Sequence, residues 1–117
     1  MLTVREKGLL LNMIKHCKRI EEAIKDLTKE EFYSNDLVKD SVCFNLLQIG
    51  ELAKKFEPNF VKEYGNAPWK NIKGMRDVIV HGYGTILFNK IWDTSKNEIK
   101  PLHEYCLKIL EANPQVE

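Results

Sequence analysis

Apolar residues in this 117-residue chain return at three- and four-residue steps from end to end, and no stretch alternates apolar with polar as a half-buried strand would. That periodicity restricts the fold to packed helices. Leu10, Met13, Ile14, Cys17, Ile20, Ile24 and Leu27 form the first stripe, so Cys17 is expected in the core. Thr3 followed by Glu6 has the pattern of a capping box, in which each side chain satisfies an unpaired amide at a helix start.

A second such box, Thr28 with Glu31, opens a short turn, and Ser34-Asn35-Asp36 supplies caps for a longer helix that ends before Pro58. One face of that helix carries Val38, Val42, Asn45, Ile49, Leu52 and Phe56, and Leu37, Phe44 and Leu47 extend the apolar surface well beyond it. A helix this apolar is central to a bundle or covered by another subunit. Gly50-Glu51 interrupts the stripe; the expectation is close packing at the glycine and solvent at the acid. Residues 57–68 concentrate turn formers around one helical turn. Pro68 suits the first turn of a third helix bearing Trp69, Ile72, Met75 and Ile79, which Gly82 and Gly84 should end. From Leu87, a last face runs through Ile91, Trp92, Ser95, Ile99, Leu102, Cys106, Ile109 and Leu110, with a kink or break expected at Pro101. The pattern predicts an all-α antiparallel bundle of four to five helices, one domain over residues 1–117.

Hydrophobic residues at 44% and charged ones at 30% are ordinary for a globular chain. A net charge of +1 excludes a global basic field, so any RNA or nucleotide site must be local. Cys17, Cys43 and Cys106 are odd in number and lack a C-x-x-C pair, which argues against a disulfide framework or zinc site and for the reducing cytosol. The N-terminus lacks the apolar stretch of a signal peptide, and nothing approaches the roughly 20 apolar residues of a membrane span.

The chemistry is concentrated in Gly74-Met75-Arg76-Asp77-Val78-Ile79-Val80-His81-Gly82-Tyr83. Asp77 and His81 are four apart and share a helix face, where the carboxylate can accept a hydrogen bond from the imidazole. Arg76 and Tyr83 are two turns apart and share a face if the helix continues that far. Guanidinium binds phosphate oxygens through paired hydrogen bonds, and imidazole moves protons near neutral pH; phosphodiester cleavage needs both. One histidine and one aspartate fall short of a usual divalent site, with His16 and His103 in other segments, so the reading is of a metal-free reaction without a cofactor. On residue types alone, a helix-end ion-pair network explains the same cluster.

Arg76-x4-His81-x-Tyr83 resembles the motif of the HepT-like branch of the HEPN (higher eukaryotes and prokaryotes nucleotide-binding) family. Ile49-Gly50-Glu51-Leu52-Ala53 before it, Pro68-Trp69-Lys70-Asn71-Ile72-Lys73-Gly74-Met75 leading into it, and Ile91-Trp92 after it resemble that branch in the same order. The resemblance implies the toxin of a toxin–antitoxin pair, a metal-independent ribonuclease acting as a homodimer whose two motifs share a cleft. It also implies a minimal nucleotidyltransferase antitoxin as partner. Arg76 and His81 match the catalytic pair, and Tyr83 matches the tyrosine that such partners modify with AMP. Many relatives have asparagine where this chain has Asp77.

The expected reaction is attack of a ribose 2′-hydroxyl on the adjacent phosphate. His81 would transfer protons, Arg76 stabilise the developing charge and Asp77 orient the imidazole. Lys54, Lys55, Lys70, Lys73 and Lys90 are candidates for a local RNA-binding surface. The alternative is a catalytically silent module that binds a nucleotide or partner protein through the same cleft.

Overall fold

Both capping boxes form. In the computed structural model, Thr3 accepts from the Glu6 amide at 3.0 Å while Glu6 accepts from the Thr3 amide, and Thr28 and Glu31 repeat the arrangement. Each N-cap of this kind contributes about 1 kcal/mol. They start α1 (Val4–Ile24) and the short α2 (Lys29–Tyr33). Asn35 caps α3 (Asp36–Ala53) through the Val38 amide. Then follow α4 (Pro58–Glu63), α5 (Trp69–Gly82), α6 (Phe88–Asn97) and α7 (Ile99–Ala112). The structure describes residues 1–65, 67, 69–82 and 88–115, and among them there is no β-strand. Pro68, Gly84 and Leu87, which the sequence reading placed at helix boundaries, lie outside the described residues.

The architecture is the expected antiparallel bundle, with α2 and α4 as the two short turns. Contacts at matched heights run in opposite directions along the chain. Arg5 donates to the Lys55 carbonyl at one end of the α1–α3 pair, and His16 meets Asn45 further along it. His103 on α7 meets Glu21 on α1, and Cys106 meets Met13. The break at Pro101 falls between α6 and α7, which puts the proline in the first turn of α7, where a missing amide costs least.

One continuous core joins the helices. Leu10, Met13, Cys17 and Ile20 of α1 are fully buried against Val42 and Ile49 of α3 and Leu102 and Cys106 of α7. Phe32 anchors the five-residue α2, its ring 5.2 Å from that of Trp92. A helix that short has no stability of its own; burying this side chain contributes about 1.5–3 kcal/mol. The apolar face of α3 carries a polar pair that the periodicity did not announce. Asn45 donates to the Ser41 carbonyl at 2.8 Å, which leaves its Oδ1 to accept from Nδ1 of the buried His16 at 2.7 Å. All three cysteines are free and buried, and burial pushes the Cys43 and Cys106 thiols up to about 11 and about 12. No helix among the described residues is long and apolar enough to cross a membrane.

The start of α5 is held by aromatic packing. Phe56 stacks on Phe60 at 4.3 Å between centroids, Trp69 lies 5.4 Å from Phe56, and the indole N–H donates to the Tyr64 carbonyl at 2.8 Å. This cluster pins one end of the helix that carries Arg76, Asp77 and His81.

Candidate active site

Helix α5 buries Trp69, Ile72 and Ile79. Arg76 falls in the same row, four residues after Ile72 and three before Ile79, so its side chain enters the seam with α3 and is only 20% exposed. Helix α3 approaches closely there because Gly50 has no side chain. A Cβ on Gly50 would stand inside van der Waals contact with Cβ of Arg76 and 3.2 Å from the Ile72 carbonyl oxygen. The expectation of tight packing at Gly50 is met.

A guanidinium in that seam needs acceptors, and two carboxylates supply them. Its Nε donates to Glu51 on α3, and Nη1 donates to Asp77 at 2.9 Å. Glu51 is therefore a partner of Arg76 rather than the solvated acid expected from the sequence, with its side chain 36% exposed. Arg76 is held above its usual value by the hydrogen bonds to Asp77 and Glu51, so it is charged at every relevant pH. The Arg76 hydrogen bond in turn holds the Asp77 carboxyl below its ordinary value, helped by the charges of Arg76, Lys54 and His81.

Asp77 does not act on His81 as expected. Among the described residues its carboxylate bonds to Arg76, and no hydrogen bond from it reaches the His81 ring, whose charge acts on Asp77 only at a distance. The long guanidinium arm reaches the next residue's carboxylate and offers a permanently charged donor, which outcompetes an imidazole. His81 is exposed in the last turn of α5, on the face it shares with Asp77. Lys54 is exposed just past the end of α3, near enough for its charge to act on Asp77. Lys70 is exposed and Lys73 half-buried on α5, and neither forms an ion pair among the described residues. Tyr83 lies outside them.

The arrangement offers a cation held in a helix seam and an exposed imidazole five residues further on, with Lys54, Lys70 and Lys73 on the same two helices or at their ends. A family model described as "Ribonuclease HepT-like" matches residues 13–109. The chain belongs to the HepT-like family. Among HepT-like relatives, a Methanocaldococcus jannaschii protein named as a candidate RNase is 31% identical over 105 residues, covering 90% of both chains. A Thermococcus cleftensis protein named as a candidate ribonuclease HepT is 27% identical over 96 residues, covering 82% of this chain and 87% of its own. The same identity, 31% over 105 residues, extends to a longer M. jannaschii protein named as a gamma-glutamylcyclotransferase and candidate RNase, of which this chain spans 47%. No solved structure matches the chain significantly.

The residue that sequence reasoning missed is Glu51. The signal was present in two places: Arg76 sits in register with Ile72 and Ile79, where a lone cation is untenable, and an acid follows the glycine that lets α3 come close.

Proposed function

We propose that this HepT-like chain is an RNA endonuclease whose own side chains carry the reaction. The observation that supports it best is the Arg76 guanidinium, fixed in the α3–α5 seam with the exposed His81 beyond it on the same helix. Membership of a ribonuclease family and relatives named as RNases support the same reading. A ribose 2′-oxygen forms a bond to the adjacent phosphorus as the bond from phosphorus to the 5′-oxygen breaks. The products are a 2′,3′-cyclic phosphate and a 5′-hydroxyl. The proton leaving the 2′-hydroxyl and the proton reaching the 5′-oxygen pass through His81. Arg76 binds the non-bridging oxygens and stabilises the charge that develops on them. Lys54, Lys70 and Lys73 attract the RNA backbone.

The family resemblance supports the role of a toxin in a toxin–antitoxin pair, silenced by a nucleotidyltransferase that adds AMP to Tyr83. An attached adenylate would put an anion beside Arg76 and compete with RNA for it. A homodimer fits the surface. Leu37 and Phe44 are 84% and 55% exposed on α3, seven residues apart, and the next residue in that series is Glu51. A second copy covering this row would meet the end of the Arg76 seam.

The test is expression of the chain without its partner, with purified protein incubated with RNA in EDTA. Growth arrest and RNA carrying 2′,3′-cyclic phosphate ends are expected. His81→Ala should abolish the arrest and lower cleavage by roughly 10²–10⁴ while folding normally. RNA left intact by the wild type would replace this reading with the silent binding module. Cleavage lost only in EDTA would show that a metal takes part.

A further inference from the structure

Arginine has five N–H donors arranged on two edges. In this site Nε is taken by Glu51, and Nη1 donates to Asp77, whose side chain is 58% exposed, so this end of the guanidinium meets a group at the surface. The two carboxylates differ in what they can do. Asp77 is the chain neighbour of Arg76, 58% exposed, and moves with it. Glu51 comes from another helix, twenty-five residues earlier, and sits beside Gly50, where α3 packs tightly against Arg76 and Ile72 of α5. Only an acceptor on a separate rigid element can fix the rotation of the guanidinium plane relative to the rest of the bundle.

We propose that Glu51 is the positioning residue of the site: by holding Nε of Arg76 it aims the Nη end at the phosphate and keeps it there through the reaction. The proposal rests on the ribonuclease reading. It has a consequence that separates aiming from attraction. Glu51 and Asp77 together outnumber the positive charge of Arg76, so Glu51 opposes the arrival of a phosphate even as it orients the group that receives it. A residue of this kind lowers ground-state affinity and raises turnover, because binding energy is realised where charge builds up in the transition state.

Kinetics on a mixed single-stranded RNA pool test this with Glu51→Gln, which keeps an acceptor for Nε and removes the charge, and Glu51→Ala, which removes both. Glu51→Ala should lose about 10² in kcat, the scale of a misplaced catalytic group, with KM unchanged or lower. Glu51→Gln should keep most of kcat and lower KM. Wild-type kcat in Glu51→Ala would overturn the proposal, as would a fall in kcat accompanied by loss of helix content in both variants. Wild type and His81→Ala in the same assay report on the ribonuclease reading itself. If the wild type leaves RNA intact, the nitrogen-15 NMR signal of the Arg76 Nε–H still decides the matter, with inorganic phosphate as the probe. A resolved, slowly exchanging signal that shifts on adding phosphate and vanishes in Glu51→Ala supports positioning; a signal unchanged in Glu51→Ala removes it.

Discussion

Gly50 on α3 leaves the space that Arg76 on α5 occupies: a Cβ there would collide with Cβ of the arginine and come within 3.2 Å of the Ile72 carbonyl oxygen. Neither neighbour is the loose end of a flexible side chain, so Gly50→Ala must push the two helices apart. The helix itself would accept alanine more readily than glycine, by about 1 kcal/mol. Overpacking of this kind costs roughly 1–3 kcal/mol and outweighs that gain. Urea denaturation should show a net destabilisation, and RNA cleavage should fall further than the unfolded fraction explains, because the Glu51–Arg76 contact is pulled apart. Equal or greater stability with full cleavage would mean that the seam is looser than this geometry allows.

The exposed row on α3 gives a test of assembly. The wild type should scatter light at micromolar concentration as twice 13.7 kDa. Phe44→Glu places a charge in the middle of the row and should shift the population to monomer while circular dichroism stays helical, since Phe44 is outside the core. A wild-type monomer, or a dimer indifferent to this change, would remove the α3 row as the interface.

The Arg76–Asp77 pair makes a specific pH dependence. Asp77 titrates below its ordinary 3.8 in the folded chain, so the pair's contribution is fully present above that value and is lost as pH falls through the lower folded value. The stability difference between wild type and Asp77→Asn should therefore be constant from neutral pH down to about the ordinary carboxylate range and shrink in stronger acid. Asp77 is 58% exposed, which keeps the difference small. Chemical unfolding across pH measures it; a difference that grows on acidification would contradict the pairing.

Adenylylation has its own signature. If a neighbouring gene encodes the proposed nucleotidyltransferase, incubation with that enzyme and Mg-ATP should add one or more AMP units to the Tyr83 peptide by mass spectrometry, with none in Tyr83→Phe. Toxicity neutralised without that mass would point to steric occlusion by the partner.

The helices were legible because their determinants are local. A cap bonds within three residues, as Thr3–Glu6 and Thr28–Glu31 do, and a buried face repeats within four. The break at Pro101 was legible for the same reason. The site was only half legible. Arg76, Asp77 and His81 stood out by spacing, yet helical spacing assigned Asp77 to His81, whereas the permanently charged guanidinium holds it. The Glu51–Arg76 and His16–Asn45 contacts depend on how two helices are set against each other across 25 and 29 residues, and no local pattern encodes that register.

Whatever its part in the proposed chemistry, Arg76 is a packing residue, since it lies in the row of Ile72 and Ile79 and closes the seam against Gly50. His81, exposed at the end of the helix, has no such packing role among the described residues. The two are therefore unequal under mutation. A lineage released from selection for cutting can discard the histidine without harm to the fold, but discarding the arginine strands Glu51 and opens the seam. Degenerate descendants of such a chain should lose His81 first and keep Arg76 for its place in the seam.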